Sequence, residues 1–413
     1  MSSLRLNHLK TQIENRPSAL QFAGVGVKQD GNRAHLDSPA AGRLHYIDTL
    51  RGFACLWVLL LHSYNAAKGN DIVLHSHSFL TGLLFRFFSL GGFGVDLFLV
   101  LSGFCLFYPL ARKDEVKNMF LDLREYAYRR TRRILPPYYI SLAVILSLVF
   151  IPTLIGIPLP HFTTVGGLRD IILHLLMIYN FQPDTIESIN VPYWSLALEF
   201  QLYVIFPLLV FLARRTRFAY MLLTLLMLSC FWQYMAQEML KVFPHSYVVW
   251  YCAVPSRAFE FASGMAAALL IARPKPHQVR IASALCLLII PAAWCGLHGA
   301  HVWLPTTQLL AAGFAAVLIV FSRIPESWFR WPGLVALTFL GSISYSIYLV
   351  HMPVFGMLHQ QNFHLHLRGG LLMVYDAVRL LAAVGIGYLF YLVAERPFMN
   401  RRKPVARPTG ALA

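Results

Sequence analysis

The sequence predicts an all-α polytopic membrane protein with about ten transmembrane helices. Its 413 residues are 57% hydrophobic and only 13% charged, and the mean hydropathy is +0.56. A soluble domain of this length carries more charge and shorter apolar runs. Here apolar stretches recur from residue 47 to residue 394, and many of them approach the roughly 17–25 residues that a membrane-spanning helix needs.

Ten of these stretches are predicted to cross the membrane. In chain order they are 47–66, 91–110, 135–155, 193–213, 219–236, 251–272, 281–297, 304–321, 334–357 and 371–394. Two further apolar segments, 79–89 and 168–181, are too short for a full crossing. We interpret both as interfacial or re-entrant pieces on one face of the membrane.

The distribution of basic residues predicts the orientation of the spans. Most Lys and Arg, 21 in all, lie in connections 111–134, 214–218, 273–280 and 322–333 and in the tail from 395. The alternating connections, leaving aside the apolar segment 79–89, hold four: Lys68, Arg169, Lys241 and Arg368. Because cytoplasmic loops are the basic ones, we expect both termini in the cytoplasm. This asymmetry accounts for the net charge of +16, and no nucleic-acid partner is expected.

The remaining sequence divides the chain into three predicted regions. Residues 1–45 are polar and lack a signal-peptide pattern, so we expect a loosely ordered cytoplasmic extension. Residues 46–400 form the transmembrane domain, and residues 401–413 form a cytoplasmic tail. The six cysteines fall in or beside spans without a CxxC pair, which is typical of free apolar thiols and indicates neither a redox role nor a metal site.

Beyond Asp48 at its start, the first span contains Arg51 and His62, and ionisable residues are costly inside a bilayer and usually face a cavity or a partner. In DTLRGFACLWVLLLHSYN, Arg51 and His62 stand eleven positions apart. On a helix they lie about 20° apart around the axis and about 16 Å apart in height. With the predicted orientation, Arg51 lies near the cytoplasmic side and His62 near the outer side.

The same topology assigns a depth to other ionisable residues. Those expected in the outer half of the membrane or near its middle are Asp96, Glu199, Arg257, Glu260 and His351. Together with His62 they predict a polar tunnel above Arg51.

Structural interpretations of these residues stay open. Arg257 and Glu260 are spaced as an ion pair on one helix, a buried histidine is often only structural, and Arg51 can snorkel to lipid headgroups. For Asp376 and Arg379, a structural ion pair is the favoured interpretation.

The connection after the second span carries a cluster of arginines. In REYAYRRTRRILPPYY, the cluster consists of Arg129, Arg130, Arg132 and Arg133. Guanidiniums one helical turn apart suit a phosphate-bearing ligand, and the alternative is an anchor at anionic lipid headgroups. A phosphate ligand below and His62 above suggest chemistry across the membrane, with the histidine as general base on an acceptor hydroxyl.

Seven stretches, in this order, resemble the acyltransferase 3 family of membrane O-acyltransferases. They are YIDTLRGFACLWVLLLH, GGFGVDLFLVLSGFCLF, RRTRRILPPYY, PYWSLALEFQLYVIFPLL, SRAFEFASGM, SYSIYLVHMPV and ERPF. The resemblance implies ten helices with cytoplasmic termini, embedded in the cytoplasmic (inner) membrane of a bacterium. It also implies transfer of an acyl group, most often acetyl, from cytosolic acyl-CoA to a hydroxyl, typically of an envelope or exported glycan.

The resemblance implies roles for individual residues. His62 is the expected catalytic residue of the motif that begins at Arg51, and Arg130 and Arg133 are expected to hold the nucleotide phosphates of CoA. Asp96, Glu199 and His351 fall on further family positions. Phe200 departs from the pattern, because many members carry a second acid there. Since the sequence ends soon after the last span, we expect acyl transfer within the membrane domain itself.

These observations give one mechanistic hypothesis. Acyl-CoA binds at the cluster 129–133 with its arm passing Arg51, and His62 removes the hydroxyl proton as the oxygen attacks the thioester. Glu199 or Asp96 supports His62. The residues expected to position the acceptor or stabilise the oxyanion are Arg257, Glu260 and His351, and no metal is expected.

Two other functions fit the same sequence. One is a carrier or flippase for an anionic or lipid-linked sugar that uses the same polar path. The other is an inactive scaffold of a glycan-assembly complex, for which His62 would be dispensable.

Overall fold

The described part of the chain is helical and contains no strand. The computed structural model describes residues 44–68, 79–113, 116, 119–154, 165–243, 247–298, 306–365 and 370–399. Its helices are α1 His45–Lys68, α2 Phe79–Ser89, α3 Phe93–Lys113, α4 Leu123–Leu154, α5 Leu168–Leu175, α6 Tyr193–Arg215, α7 Phe218–Val242, α8 Tyr247–Tyr251, α9 Val254–Ala272, α10 Gln278–Leu285, α11 Ile289–His298, α12 Thr306–Phe321, α13 Pro332–Ser342, α14 Ser344–Leu365 and α15 Gly370–Phe390. The predicted extension up to residue 43 and the predicted tail lie outside the described residues.

Six helical stretches of the described residues are long and apolar enough to cross a membrane. They are Phe93–Lys113, Leu123–Ile151, Tyr193–Arg215, Phe218–Val242, Gln278–Cys295 and Val374–Phe398, and the bent pair α13–α14 makes a seventh. The three other predicted spans coincide with α1, α9 and α12. Charged residues lower the hydropathy of α1 and α9, and α12 has only 16 residues. The polytopic helical membrane fold is therefore as predicted, whereas ten crossings and cytoplasmic termini stay predictions.

The predicted span 334–357 differs from the structure, because it is two helices that meet at 80°. At the break, Ser342 Oγ donates to the carbonyl of Phe339 at 2.7 Å and Ser344 Oγ donates to the carbonyl of Gly341 at 2.9 Å. Serine hydroxyls that bond backbone carbonyls compete with the helical ladder, and Gly/Ser pairs are common sites of kinks. The hydropathy pattern runs through this point without interruption and gave no signal of the bend.

Each of the two short apolar segments contains a short helix. Helix α2 has 11 residues and α5 has 8, which reach about 16 Å and 12 Å at 1.5 Å per residue and cannot cross a bilayer. In α5, Leu168 is exposed while Asp170 and His174 are buried and joined by a 3.1 Å contact. The helix thus directs Asp170 and His174 into the protein and Leu168 outward, which fits an interfacial or re-entrant position.

Helices α3 and α9 approach each other closely through two glycines. A Cβ at Gly103 would lie 1.9 Å from the carbonyl oxygen of Phe261, and a Cβ at Gly264 would lie 1.9 Å from that of Val100. Only glycine permits such backbone contact. This packing brings the first turns of the two helices together, and with them several of the predicted site residues.

Candidate active site

Helices α1 and α14 bring His62 and His351 together. The centroids of their imidazole rings are 5.2 Å apart and the ring planes are inclined by 45°. His351 is 1% exposed, and the rings of Tyr348 and Phe355 flank it at 5.5 Å and 6.0 Å. Two predicted site residues from opposite ends of the chain therefore share one location.

Backbone contacts determine the tautomer of His351. Its Nδ1 lies 2.9 Å from the carbonyl oxygen of Tyr348 and 3.2 Å from that of Ile347. Because a carbonyl oxygen only accepts hydrogen bonds, Nδ1 carries the hydrogen. The other nitrogen, Nε2, is buried without a hydrogen-bond partner among the described residues. In the neutral ring this atom is an acceptor, so it suits a hydroxyl donor and not an oxyanion.

A cavity of about 430 Å³ reaches Tyr348, which lies three residues before His351 on the same helix. Arg51, Glu199, Ser195, Tyr345 and Tyr348 lie in its wall. The Ser195 and Tyr348 hydroxyls are hydrogen-bonded at 2.6 Å. The cavity thus extends from Arg51 to the turn of α14 that precedes His351.

A second cavity of about 490 Å³ shares Arg51, Glu199 and Tyr345 with the first. Its other polar wall residues include Arg130 and Arg133. The two cavities therefore connect the arginine cluster to the neighbourhood of the histidine pair, through the residues that they share.

The arginine cluster divides into two pairs. Arg130 and Arg133 line the second cavity, and the guanidinium of Arg130 lies 5.8 Å from the Tyr203 ring centroid. Arg129 is exposed and pairs with Glu125 on the same helix. Arg132 donates to the Tyr128 hydroxyl at 2.9 Å, also on the same helix. A helical turn of three residues explains the division, because positions 130 and 133 share one face of α4 and 129 and 132 another.

The two acids predicted to support His62 have other partners. Glu199 accepts hydrogen bonds from the hydroxyls of Ser102 and Tyr203, the second at 2.5 Å. Like Arg51, Glu199 lies in the walls of both cavities. The support of His62 by an acid stays a prediction that the geometry does not favour.

Asp96 belongs to a buried cluster with Arg257 and Glu260. Arg257 Nη2 lies 3.1 Å from Asp96 Oδ1, and Arg257 Nε lies 3.1 Å from Glu260 Oε1. The guanidinium also lies 5.1 Å from the centroid of Tyr251. The three side chains are at most 5% exposed. The observed ion pair supports the structural interpretation of Arg257 and Glu260, and Asp96 is a second partner of the same arginine.

Several residues of the site were not singled out from the sequence. Those in the cavity walls are Ser102, Ser195, Tyr203, Tyr345 and Tyr348. Each lies inside a motif stretch, and Ser195 and Tyr203 stand four residues on either side of Glu199, which is the spacing of one helical face. For Ser195 and Tyr203, this spacing was the sequence signal that could have identified them as neighbours of Glu199.

Glu395, in the ERPF stretch, is a further buried residue on this side of the protein. It lies in a π-helical turn, Tyr391–Glu395, that follows α15. Its carboxylate accepts a hydrogen bond from Ser346 Oγ at 2.5 Å.

The motif residues of this site agree with a comparison against known families. The sequence matches the acyltransferase domain family, acyltransferase 3, over residues 44–392. The chain belongs to this family. The predicted resemblance is thus confirmed, and the acyltransferase 3 match covers α1 through α15 together with the paired histidines and both cavities.

Curated members similar to this acyltransferase 3 chain include three bacterial proteins. Peptidoglycan O-acetyltransferase OatA of Listeria monocytogenes is 27% identical over 333 residues, 75% of this chain and 49% of that protein. Putative peptidoglycan O-acetyltransferase YrhL of Bacillus subtilis is 28% identical over 340 residues, 75% and 48%. O-acetyltransferase OatA of Staphylococcus aureus is 29% identical over 196 residues, 44% and 27%. The chain spans about half the length of the first two relatives, and no solved structure matches it.

Proposed function

We propose that the protein is a membrane O-acyltransferase that transfers an acyl group from cytosolic acyl-CoA to a hydroxyl of an envelope or exported glycan. Acetyl is the proposed acyl group. One observation carries the proposal. Two cavities that share Arg51 and Glu199 run from Arg130 and Arg133 toward the pair His62 and His351. Such a path leads from two arginines that suit a phosphate to Tyr348, whose ring lies 5.5 Å from that of His351, the neighbour of the candidate general base.

The donor end of the path suits a nucleotide phosphate. Arg130 and Arg133 lie one turn apart on the same helix face and line the second cavity, and guanidinium groups bind phosphate oxygens through paired N–H donors. The thin arm of acyl-CoA then follows the cavities past Arg51 and Glu199. In this proposal the donor enters from the predicted cytoplasmic side.

His62 is the proposed general base. It takes the proton of the acceptor hydroxyl while the oxygen attacks the thioester carbonyl, the carbon–sulfur bond breaks, and the proton passes to the departing CoA sulfur. The lone pair on Nε2 of His351 accepts a hydrogen bond in the same place and orients the hydroxyl or the imidazole of His62. Acyl transfer then needs no side chain as a covalent carrier.

The acceptor is proposed to be a glycan because of the relatives. Two of them are named as peptidoglycan O-acetyltransferases, and family members act on sugar hydroxyls according to the resemblance. We propose the same chemical class here, with the protein in the bacterial inner membrane and the acceptor on its outer side.

Transfer of labelled acetyl from acetyl-CoA to glycan in membranes tests this function. His62→Ala is expected to abolish transfer, since general base catalysis contributes about 10²–10⁴-fold. The matched control is His45→Ala, which removes a histidine from the first turn of the same helix and is expected to retain activity. Substantial transfer by well-expressed His62→Ala would contradict the proposal.

The same membranes separate the enzyme from the carrier. Acetyl-CoA-dependent modification of the acceptor supports an enzyme, whereas movement of an unmodified sugar across vesicles without CoA would support a carrier. An inactive scaffold predicts neither modification nor a requirement for His62.

A further inference from the structure

Arg379 is a buried arginine in the middle of the apolar helix α15. Its side chain is 1% exposed, and its Nη1 donates to Asp376 Oδ1 at 2.7 Å. Its guanidinium carbon lies 5.1 Å from the centroid of the Phe355 ring. The predicted ion pair is therefore present, but it uses only one nitrogen of the guanidinium.

The other two nitrogens of Arg379 have no partner within the part of the chain that the structure describes. Nε and Nη2 are buried and have no hydrogen-bond partner among the described residues. These two atoms form one edge of the guanidinium, and their N–H bonds point in the same direction. That edge matches the two oxygens of a carboxylate or phosphate. A structural ion pair with Asp376 does not account for it.

Contacts between α14 and α15 show where Arg379 lies relative to the histidine pair. Tyr375 donates to the carbonyl of Leu358 at 2.5 Å, and a Cβ at Gly387 would lie 2.6 Å from Ile347 Cγ1. The two helices are thus antiparallel, and Arg379 lies at the level of Phe355. This is one helical turn, about 6 Å, beyond His351.

The order of residues along α14 shows on which side of the histidine pair Arg379 lies. Tyr345 and Tyr348 line the cavities and precede His351, whereas Phe355 follows it and separates it from Arg379. The guanidinium therefore lies on the side of the histidine pair that is away from the arginine-lined cavity. If acyl-CoA occupies that cavity, the group that reaches Arg379 belongs to the acceptor.

We propose that Arg379 is an oxyanion-binding residue of the acceptor site, and that the acceptor carries a carboxylate or a phosphate close to the hydroxyl that is acylated. The inference rests on the proposed function for the meaning of the two sides, and it adds the chemical class of the acceptor. A neutral sugar chain leaves the Nε–Nη2 edge unused, while an acidic or phosphorylated sugar fills it.

Equilibrium binding tests the proposal without requiring catalysis. The full chain in lipid nanodiscs is titrated with three fluorescent disaccharides of similar size. The first contains a uronic acid, the second is the methyl ester of the first, and the third carries one phosphate and no carboxylate. We expect the wild-type chain to bind the carboxylate or the phosphate at least about tenfold more tightly than the ester, because charge-assisted bidentate pairs are strong. The preferred anion distinguishes an acidic sugar from a phosphorylated one.

Three variants assign the selectivity to a side chain. Arg379→Gln is expected to bind all three ligands with the affinity that the ester has for the wild type. Asp376→Asn keeps the guanidinium and is expected to retain selectivity. Arg379→Lys keeps the charge without the paired edge and is expected to lose most of the preference, which provides a result even if Arg379→Gln does not fold.

Equal binding of acidic and neutral ligands by the wild type, or unchanged selectivity in Arg379→Gln or Arg379→Lys, would overturn the proposal and leave Arg379 as a structural residue. Labelled acetyl transfer in the same nanodiscs reports on the proposed function separately. Selective binding without transfer contradicts the acyltransferase and not the anion site, and transfer without selectivity contradicts the anion site and not the acyltransferase.

Discussion

The imidazole rings of His62 and His351 lie 5.2 Å apart between centroids, although they come from the first and fourteenth helices. The two acids expected to support His62 have other partners. Glu199 accepts hydrogen bonds from Ser102 and Tyr203, and Asp96 forms an ion pair with Arg257. The candidate base therefore has a second histidine as a neighbour, and Nε2 of that histidine, which has no partner among the described residues, can accept a hydrogen bond.

The first prediction concerns that nitrogen. His351→Leu is expected to lower kcat/KM by about ten- to hundredfold, since losing a hydrogen bond to a buried group costs about 1–3 kcal/mol. His351→Gln places an amide oxygen near the position of Nε2 and is expected to recover part of the loss. Steady-state kinetics of acetyl transfer measure both variants. Equal activity of the leucine and glutamine variants would show that the acceptor atom has no role.

The division of the arginine cluster gives the second prediction. Arg130→Ala with Arg133→Ala is expected to raise the KM for acyl-CoA by about tenfold or more, because charged hydrogen bonds contribute about 1.5–3 kcal/mol. Arg129→Ala is the matched control, since Arg129 is exposed and pairs with Glu125. Its KM is expected to stay within about twofold. An equal effect of all three substitutions would indicate a general electrostatic anchor.

The third prediction concerns the buried cluster of Asp96, Arg257 and Glu260. Arg257→Leu leaves two carboxylates buried without their cation and is expected to lower the free energy of unfolding by about 3–5 kcal/mol. Replacing all three residues by leucine is expected to recover most of that stability. Thermal unfolding followed by fluorescence-detected size exclusion measures the change.

Activity of the triple variant then decides the role of the cluster. A stable triple leucine variant without acetyl transfer keeps Arg257 and Glu260 as substrate-binding residues, as predicted from the sequence. Normal transfer by that variant would make the cluster purely structural.

The fourth prediction tests the contact between α3 and α9. Gly264→Ala is expected to destabilise the protein by about 1–3 kcal/mol, because the new Cβ would lie 1.9 Å from the carbonyl oxygen of Val100. Gly385→Ala on α15 is the control, with no atom within 4 Å of its new Cβ. That variant is expected to be as stable as the wild type or more stable by about 0.5–1 kcal/mol. Thermal unfolding of the two variants in parallel provides the test.

Local patterns explain what could be predicted. Each predicted span coincides with a described helix or a pair of helices, because hydropathy depends on residues near one another in the sequence. The positions of charged and ionisable residues likewise drew attention to Arg51, His62 and the arginine cluster. The spacing of Arg130 and Arg133 also anticipated that they share a face. The bend at Ser342–Ser344 escaped this reasoning, because serine side chains there take backbone hydrogen bonds without interrupting the apolar pattern.

The sequence alone determined the membrane class, the helix positions and the ionisable residues of the candidate site, since burial in a bilayer imposes long apolar runs and makes each charged exception conspicuous. Tertiary structure alone decided the partners. It joined His62 to His351, bound Asp96 to Arg257, separated Arg129 from Arg130, and left one edge of Arg379 without a partner among the residues described. These relationships depend on how helices distant in the sequence pack against each other, and side-chain partnership at a few ångströms is set by that packing.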